Sequence, residues 1–266
     1  MSGRLVVCPT PIGNLEDVTL RTLSALRDAD VVACEDTRRT RVLLDRFGVK
    51  APLLSYHEHN EEARARELVE RMRTGETVAL VSDAGMPLVS DPGFVLVREC
   101  VAAGLAVEVL PGPSAVITAL VASGLPSARW RFEGFLPRKQ GELRAVFEAP
   151  ETIVAFESPR RLGATLAVID PSRDVAVCRE LTKLHEEVVR GTAGELAARY
   201  ASETPKGEIV LVVGPATAAG EGPGSDAVAA FDELVDAGAR RRVAARVVAR
   251  LTGASANDLY EARDQH

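Results

Sequence analysis

Short apolar-rich runs alternate with amphipathic segments from the start of the chain to Leu110. Leu5–Cys8, Val31–Cys34, Leu53–Tyr56, Val78–Val81 and Val107–Leu110 have the length and character of strands buried between two layers. Between the first two, Leu20, Leu23 and Leu26 recur at helical spacing, with Asp17 available as a cap. A basic helix follows Cys34 and closes at Gly48. A charged helix capped by Asn60 closes at Gly75. Asp91 as N-cap and Pro92 at the first helical position start a helix that runs to Gly104. This β-α repeat predicts an α/β fold, a mostly parallel sheet with helices on its faces.

From Pro111-Gly112-Pro113-Ser114-Ala115 the rhythm changes. One apolar helix leads through Leu125-Pro126 to Phe132-Glu133-Gly134-Phe135. Strands then follow at Ile153–Phe156, Val175–Cys178, Val188–Val189 and Ile209–Val213. Only some helices separate them, so the second sheet is expected to be mixed. Residues 218–225, rich in Ala, Gly and Pro, read as a linker to a tail of two or three short helices. The expected organisation is an N-terminal α/β domain over 1–112, a second α/β domain over 113–217 and a small helical C-terminal domain over 218–266.

The 266 residues are 46% hydrophobic and 26% charged, which is ordinary for a globular chain. The apolar runs fall far short of a membrane span, and no basic-plus-apolar leader opens the chain, so a cytoplasmic protein away from membranes is expected. Cys8, Cys34, Cys100 and Cys178 are scattered without a CxxC pair and read as small buried apolar residues. No metal site is expected. A net charge of −6 confines any nucleic-acid contact to a local basic patch.

Chemistry gathers where the strands end. The run Val78–Val81 empties into Ser82-Asp83-Ala84-Gly85-Met86-Pro87, small residues that let a ligand approach the backbone. The first strand opens into Pro9-Thr10-Pro11-Ile12-Gly13-Asn14, without the G-x-G-x-x-G of a dinucleotide site, and the chain has no Walker A pattern. Glu35-Asp36-Thr37-Arg38 can orient or deprotonate a substrate hydroxyl, or Asp36 can simply cap the next helix. His57 and His59 have no evident third metal ligand, so substrate contact or a plain loop fits them better. Phe156-Glu157-Ser158-Pro159-Arg160-Arg161 and Cys178-Arg179-Glu180-Leu181-Thr182-Lys183 are charged strand exits in the second half, and together the exits suggest a cleft between domains. Trp130-Arg131-Phe132 and Phe135-Leu136-Pro137-Arg138-Lys139 interleave aromatics with cations, which suits stacked bases and phosphates or an aromatic core with solvated cations. Arg240, Arg241, Arg242, Arg246 and Arg250 make a phosphate-binding helix or a solvated amphipathic one.

These motifs, in this order, resemble the tetrapyrrole-methylase superfamily of S-adenosylmethionine-dependent enzymes. Within it they resemble a branch that methylates the ribose 2′-hydroxyl of a cytidine in 16S ribosomal RNA. The resemblance is carried by TPIGNLEDVTLR from Thr10, ACEDTRRTRVLL from Ala33, SYHEHNE from Ser55, VSDAGMPLVSDPG from Val81, PGPSA from Pro111, FEGFLPRK from Phe132, FESPRRL from Phe156, CRELTKLHEE from Cys178 and PKGEIVLVVG from Pro205. The tail Ala254–Tyr260 resembles the small helical domain of that branch. The resemblance implies two α/β domains with S-adenosyl-L-methionine in the cleft between them, held largely by backbone. It implies Pro11, Asp83, Ala84, Gly85, Met86, Ser114 and Ala115 around the donor, with Phe156, Glu157, Leu181 and Gly207 from the second domain. It also implies a homodimer acting on 16S rRNA or the assembled small ribosomal subunit. Strand-end position suggests Glu35 or Asp36 as proton acceptor and Lys183 or Arg38 as the stabilising cation. Arg38, Arg39, Arg41, His57, Arg138, Lys139, Arg160 and Arg161 are the expected RNA contacts. Two other functions suit the same fold, a methyltransferase of small molecules and a non-catalytic ribosome-associated RNA-binding protein.

Overall fold

The computed structural model describes residues 3–216, 225–252 and 259. The chain divides into two compact units, 1–216 and 217–266.

The first unit opens with β1 (Arg4–Val7), α1 (Leu20–Asp28), β2 (Val31–Cys34), α2 (Thr37–Arg46), β3 (Leu53–Ser55), α3 (Glu61–Arg73), β4 (Thr77–Val81), α4 (Phe94–Ala102) and β5 (Ala106–Val109). The five strands form one parallel sheet in the order β3-β2-β4-β1-β5. Successive side chains of a strand point to opposite faces, so its continuous apolar runs feed two cores. Leu5, Val7, Val31, Val78 and Leu80 pack under α3 and α4 with Leu68, Met72, Leu96 and Cys100. Val6, Cys8, Val32, Ala79 and Val81 pack under α1 and α2 with Leu23, Leu26, Leu43 and Leu44.

The unit continues with α5 (Ala115–Ser123), β6 (Trp130–Phe135), α6 (Gln140–Phe147), β7 (Thr152–Glu157), α7 (Leu162–Leu166), β8 (Asp174–Arg179), β9 (Glu187–Thr192), α8 (Ala193–Ser202) and β10 (Ile209–Val213). These strands form a second sheet, β6-β7-β10-β8-β9, in which only the β6–β7 pair is parallel. One face packs on α6, α7 and α8. The other packs on α5 and receives Ile12 from the loop after β1, so that loop enters the second sheet's core.

Three local expectations are corrected. The cap of α1 is Thr19, whose hydroxyl accepts from the Thr22 amide at 3.0 Å, while Asp17 lies in a preceding 3₁₀ turn. Asn60 stands at the start of α3 but its carboxamide accepts from the His57 amide at 2.9 Å and does not cap the helix. The helix after Pro92 begins only at Phe94, behind Gly93 at φ 137°, so Asp91 caps nothing and its side chain is released. A Cβ on Gly93 would also lie 2.8 Å from Leu88 Cδ1 and 2.9 Å from Leu80 Cδ2, which fixes glycine there.

In the second unit, α9 (Ser225–Asp236) and α10 (Arg241–Thr252) pack Ala227, Phe231, Ala244, Ala245 and Val248 together with Leu259. Arg242, Arg246 and Arg250 recur every fourth residue on the exposed side of α10. Of the expected linker only Ser225, and of the Ala254–Tyr260 motif only Leu259, falls among the described residues.

Candidate functional site

The carboxyl ends of the parallel strands all face one edge of the first sheet, and the loop chemistry collects there. The loops after β1 and β4 are zipped together: Thr10 and Gly85 exchange backbone hydrogen bonds of 2.8 and 2.9 Å, and the Thr10 hydroxyl donates to the Ser82 carbonyl at 3.1 Å. The β1 loop then meets the β8–β9 loop. The Asn14 amide donates to the Thr182 hydroxyl at 3.0 Å. A Cβ on Gly13 would stand 2.5 Å from Lys183 Cγ, 2.7 Å from Thr182 Oγ1 and 3.0 Å from the Leu181 carbonyl oxygen, so the approach needs glycine.

The second sheet converges by register. Ile209 pairs with both Glu157 and Arg179, which puts the exits of β7 and β8 at the same end as the entry to β10. Phe135 of β6 pairs with Phe156 and joins them. Between these loops and those of the first sheet lies a cavity of about 340 Å³, within the size range of small-ligand sites. Phe156, Cys178, Leu181 and Val210 give it an apolar wall, and Ile12, Ala84 and Ala115 line it from the loops after β1 and β4 and the start of α5. Polar groups are few: Ser90, Asp91, Glu157, Ser158 and Glu208. Among the described residues, the non-glycine positions with left-handed backbone are Leu88, Ser90, Glu180 and Thr182, at φ 49–72°. All four lie in the two loops beside this cavity, where stored strain marks a site held in a working shape.

Of the expected donor neighbours, Ala84, Ala115, Phe156, Glu157, Leu181 and Gly207 line the cavity. Pro11 is buried beside Ile12, and Gly85 is occupied by the Thr10 pairing. Met86 packs on the α3–α4 core, and Ser114 caps α5 through the Ile117 amide at 3.5 Å. Asp83 turns toward α2: it accepts from the Asp36 amide at 3.0 Å and meets Arg39 at 3.5 Å. Buried Glu157 accepts from the Ser158 amide at 2.6 Å and the Thr165 hydroxyl at 2.5 Å, with Arg161 at 3.4 Å.

The expected catalytic residues are not brought together. Asp36 is the N-cap of α2. Its carboxylate accepts from the Arg38 amide at 2.8 Å and from the Arg38 guanidinium at 2.8 and 3.1 Å, which lowers it to about 2. A carboxylate drawn down in this way and holding three hydrogen bonds is a poor proton acceptor. Lys183 is clamped between Glu180 at 2.8 Å and Glu208 at 3.0 Å. Burial opposes its charge, but these carboxylates outweigh burial and raise its pKa, so it stays a clamped cation. Glu35 differs: burial, then the Asp83 charge, raises its carboxyl, opposed by Arg39 and His57.

Among the expected RNA contacts, Arg41, Arg138 and Arg160 are exposed. Arg38 is held by Asp36, Arg39 reaches Asp83, and Lys139 pairs with Glu142 at 2.9 Å. Arg161 is turned inward and donates to the Leu136 and Pro137 carbonyls at 3.1 and 2.6 Å, which ties the β6–α6 loop to α7. His57 Nε2 lies 3.2 Å from the Asn60 carboxamide nitrogen, and its Nδ1 is buried without a hydrogen-bond partner among the described residues. Phe132 packs edge-on against Phe156 at 5.1 Å, whereas Phe135 is 70% exposed on the cavity wall.

Sequence reasoning missed Asp91 and Glu208 as cavity residues. The available signal for Asp91 was the second Ser-Asp step, Ser90-Asp91, eight residues after Ser82-Asp83. Its carboxyl is pushed up to about 6 by burial, then by the Glu35 charge, against a lowering by the Ser82 hydroxyl, with Asp83 adding to the rise.

Comparison with known proteins agrees with this geometry. The family model described as Tetrapyrrole (Corrin/Porphyrin) Methylases matches residues 4–197. The chain is 47% identical to the ribosomal RNA small subunit methyltransferase I of Mesorhizobium japonicum, over 96% of this chain and 90% of that one. It is 44% identical to the protein of the same name from Escherichia coli O157:H7, over 97% and 94%. Among solved structures, a Thermus thermophilus uroporphyrin-III C-methyl transferase complexed with S-adenosyl homocysteine matches with a TM-score of 0.56 at 22% identity, over 80% of this chain and 97% of that one.

Proposed function

The chain belongs to the tetrapyrrole methylase family, and within it to the ribosomal RNA small subunit methyltransferase I group, and from this we propose that it methylates the 2′-hydroxyl of a cytidine ribose in 16S ribosomal RNA. It is an S-adenosylmethionine-dependent methyltransferase. The observation that carries the reading is the cavity, apolar on one wall, at the loops of the family's motifs. It fits the donor: Phe156, Leu181 and Val210 suit an adenine face, and Glu157, Ser158 and Glu208 suit its polar groups. Pro11, Asp83, Gly85, Met86 and Ser114 then act behind the lining, fixing the loops that carry Ala84 and Ala115. When bound, S-adenosylmethionine supplies a methyl group already activated on a sulfonium.

What remains for the protein is placement. Holding the acceptor oxygen near attack distance is worth about 7–11 kcal/mol in favourable cases. The rigid joint at Gly13, Asn14 and Thr182 keeps the two walls in register for that task. Arg39, Arg41, Arg138 and Arg160 are the cations that meet RNA phosphates in this reading, with the Arg242, Arg246 and Arg250 stripe as a second basic surface. A ribosomal acceptor places the reaction in the cytoplasm, and the family resemblance extends the proposal to a homodimer. Among the described residues no helix is long and apolar enough to cross a membrane.

The test is transfer of label from the donor into assembled small ribosomal subunits, mapped by nuclease resistance at the modified ribose. Label on one 2′-oxygen of 16S rRNA is expected, with affinity that falls steeply as salt rises. Label absent from the RNA while the donor still binds overturns the acceptor and leaves the fold and cofactor standing.

A further inference from the structure

The cavity holds three carboxylates, and two are already committed to cations. Glu157 is bound by Arg161, and Glu208 by Lys183. Asp91, freed from α4 by Gly93, makes no ion pair among the described residues. It sits behind Ser90, whose backbone is left-handed at φ 63°. The Cys34–Val81 pairing sets Glu35 and Ser82 side by side at the ends of β2 and β4, and Asp91 faces both. The other charged group facing Asp91 from the first sheet is Asp83; Arg39 faces Asp83 and Glu35, and His57 faces Glu35. Among the described residues no group of three or more such side chains has the geometry to hold a metal ion.

We infer that Asp91 accepts the proton of the acceptor hydroxyl during methyl transfer, and that Glu35, across the β2–β4 strand ends, is the residue that positions it. The inference rests on the functional reading above. As the acceptor oxygen forms its bond to the methyl carbon, the carbon–sulfur bond breaks and its electron pair stays on sulfur, which becomes a neutral thioether. The hydroxyl proton passes to the Asp91 carboxylate, so charge and atoms balance. A carboxyl raised to about 6 is a better acceptor than an ordinary aspartate and is still ionised at neutral pH. Asp36, drawn down by Arg38, lacks that property.

Single-turnover transfer into small ribosomal subunits tests this, with the full chain and labelled S-adenosylmethionine. Asp91→Asn is expected to slow transfer about 100-fold while S-adenosylhomocysteine affinity by calorimetry is unchanged. The wild-type rate should rise with pH to a plateau, with a midpoint near 6. Glu35→Gln removes a neighbouring negative charge, so it should move that midpoint down and keep most of the plateau rate. Asp91→Glu should recover part of the rate. Transfer by Asp91→Asn at the wild-type rate overturns the assignment, as does a donor affinity that falls in proportion to the rate. A Glu35→Gln midpoint equal to that of the wild type overturns the positioning role. Absence of transfer by the wild-type chain itself overturns the acceptor reading and this inference with it, an outcome distinct because no variant is involved.

Discussion

The two sheets of the first unit contribute opposite things to one cavity. In the parallel sheet every strand ends at the same edge, so Pro11–Asn14, Glu35, Ser82–Gly93 and Pro111–Ser114 collect there without further design. That edge carries the unpaired carboxylate, Asp91, and its neighbours. In the mixed sheet strand directions differ, and the exits of β6, β7 and β8 share an end with the entries to β10 and β9. Its share is apolar, Phe156, Cys178, Leu181 and Val210, with Glu157 and Glu208 neutralised by cations. Chemistry therefore sits on the wall built from uniform strand ends, and shape on the wall built from paired ones. Four variants break or sharpen this contrast.

The largest effect is expected from Gly13→Val, which breaks the joint between the walls. Its Cβ would meet Lys183 and Thr182 side chains at 2.5 and 2.7 Å and the Leu181 carbonyl at 3.0 Å. Overpacking of this kind costs about 1–3 kcal/mol, and donor affinity should drop at least about tenfold because misplacement at a site is amplified. Calorimetry and denaturant titration measure both.

Arg173→Met acts on the second sheet alone. Arg173 is 2% exposed and donates to the Gly214, Phe147, Ala149 and Glu151 carbonyls at 2.5–3.2 Å. Leaving buried acceptors unpaired should cost about 3 kcal/mol in urea unfolding, while donor affinity of the folded protein stays near wild type.

Asp91→Asn tests the first wall by stability. The folded-state carboxyl is raised from 3.8 to about 6, so its contribution is fully present below pH 3.8 and is lost as pH rises through 6. Above that range the wild type carries a half-buried negative charge that asparagine lacks. The variant should be more stable by about 2 kcal/mol at pH 8, with the difference vanishing near pH 4. Equal stability at both pH values would show that the carboxylate is well solvated.

Lys183→Met should have the smallest effect. A partly exposed ion pair contributes about 1 kcal/mol or less, and the rate of transfer should hold if Lys183 only clamps Glu180 and Glu208. A large loss of rate without a loss of donor affinity would return Lys183 to the catalytic set.

Much of this was legible in the residues. The five strand runs of the first sheet, with Ile153–Phe156, Val175–Cys178 and Ile209–Val213, fall within about a residue of their observed ends because buried strands demand continuous apolar residues, whereas Val188–Val189 stops three residues short of the end of the partly exposed β9. Gly48, Gly75 and Gly104, at φ 62°, 108° and 68°, end their helices as turn chemistry requires. β6 was harder to see: Trp130–Phe135 mixes charge with aromatics because it is an edge strand with a bulge between Phe132 and Phe135. Asp-Pro before an apolar run has the signature of a helix cap at Asp91, and nothing local says that Gly93 delays the helix to Phe94.

The sequence by itself determined the strand-helix rhythm, the change to a mixed sheet after Pro111, and the loops that carry chemistry, since all of these follow from local patterning and turn preference. Only the tertiary structure decided which charges are available. Asp36, Asp83, Asp91, Glu157 and Lys183 look alike as strand-end charges, yet Arg38 holds the first, the α2 amide and Arg39 the second, Arg161 and Thr165 the fourth, and two glutamates the fifth. Asp91 makes no ion pair among the described residues because folding half-buries it beside other carboxylates and brings it no cation, and a carboxylate's basicity is set by the charges and burial around it, not by its own identity.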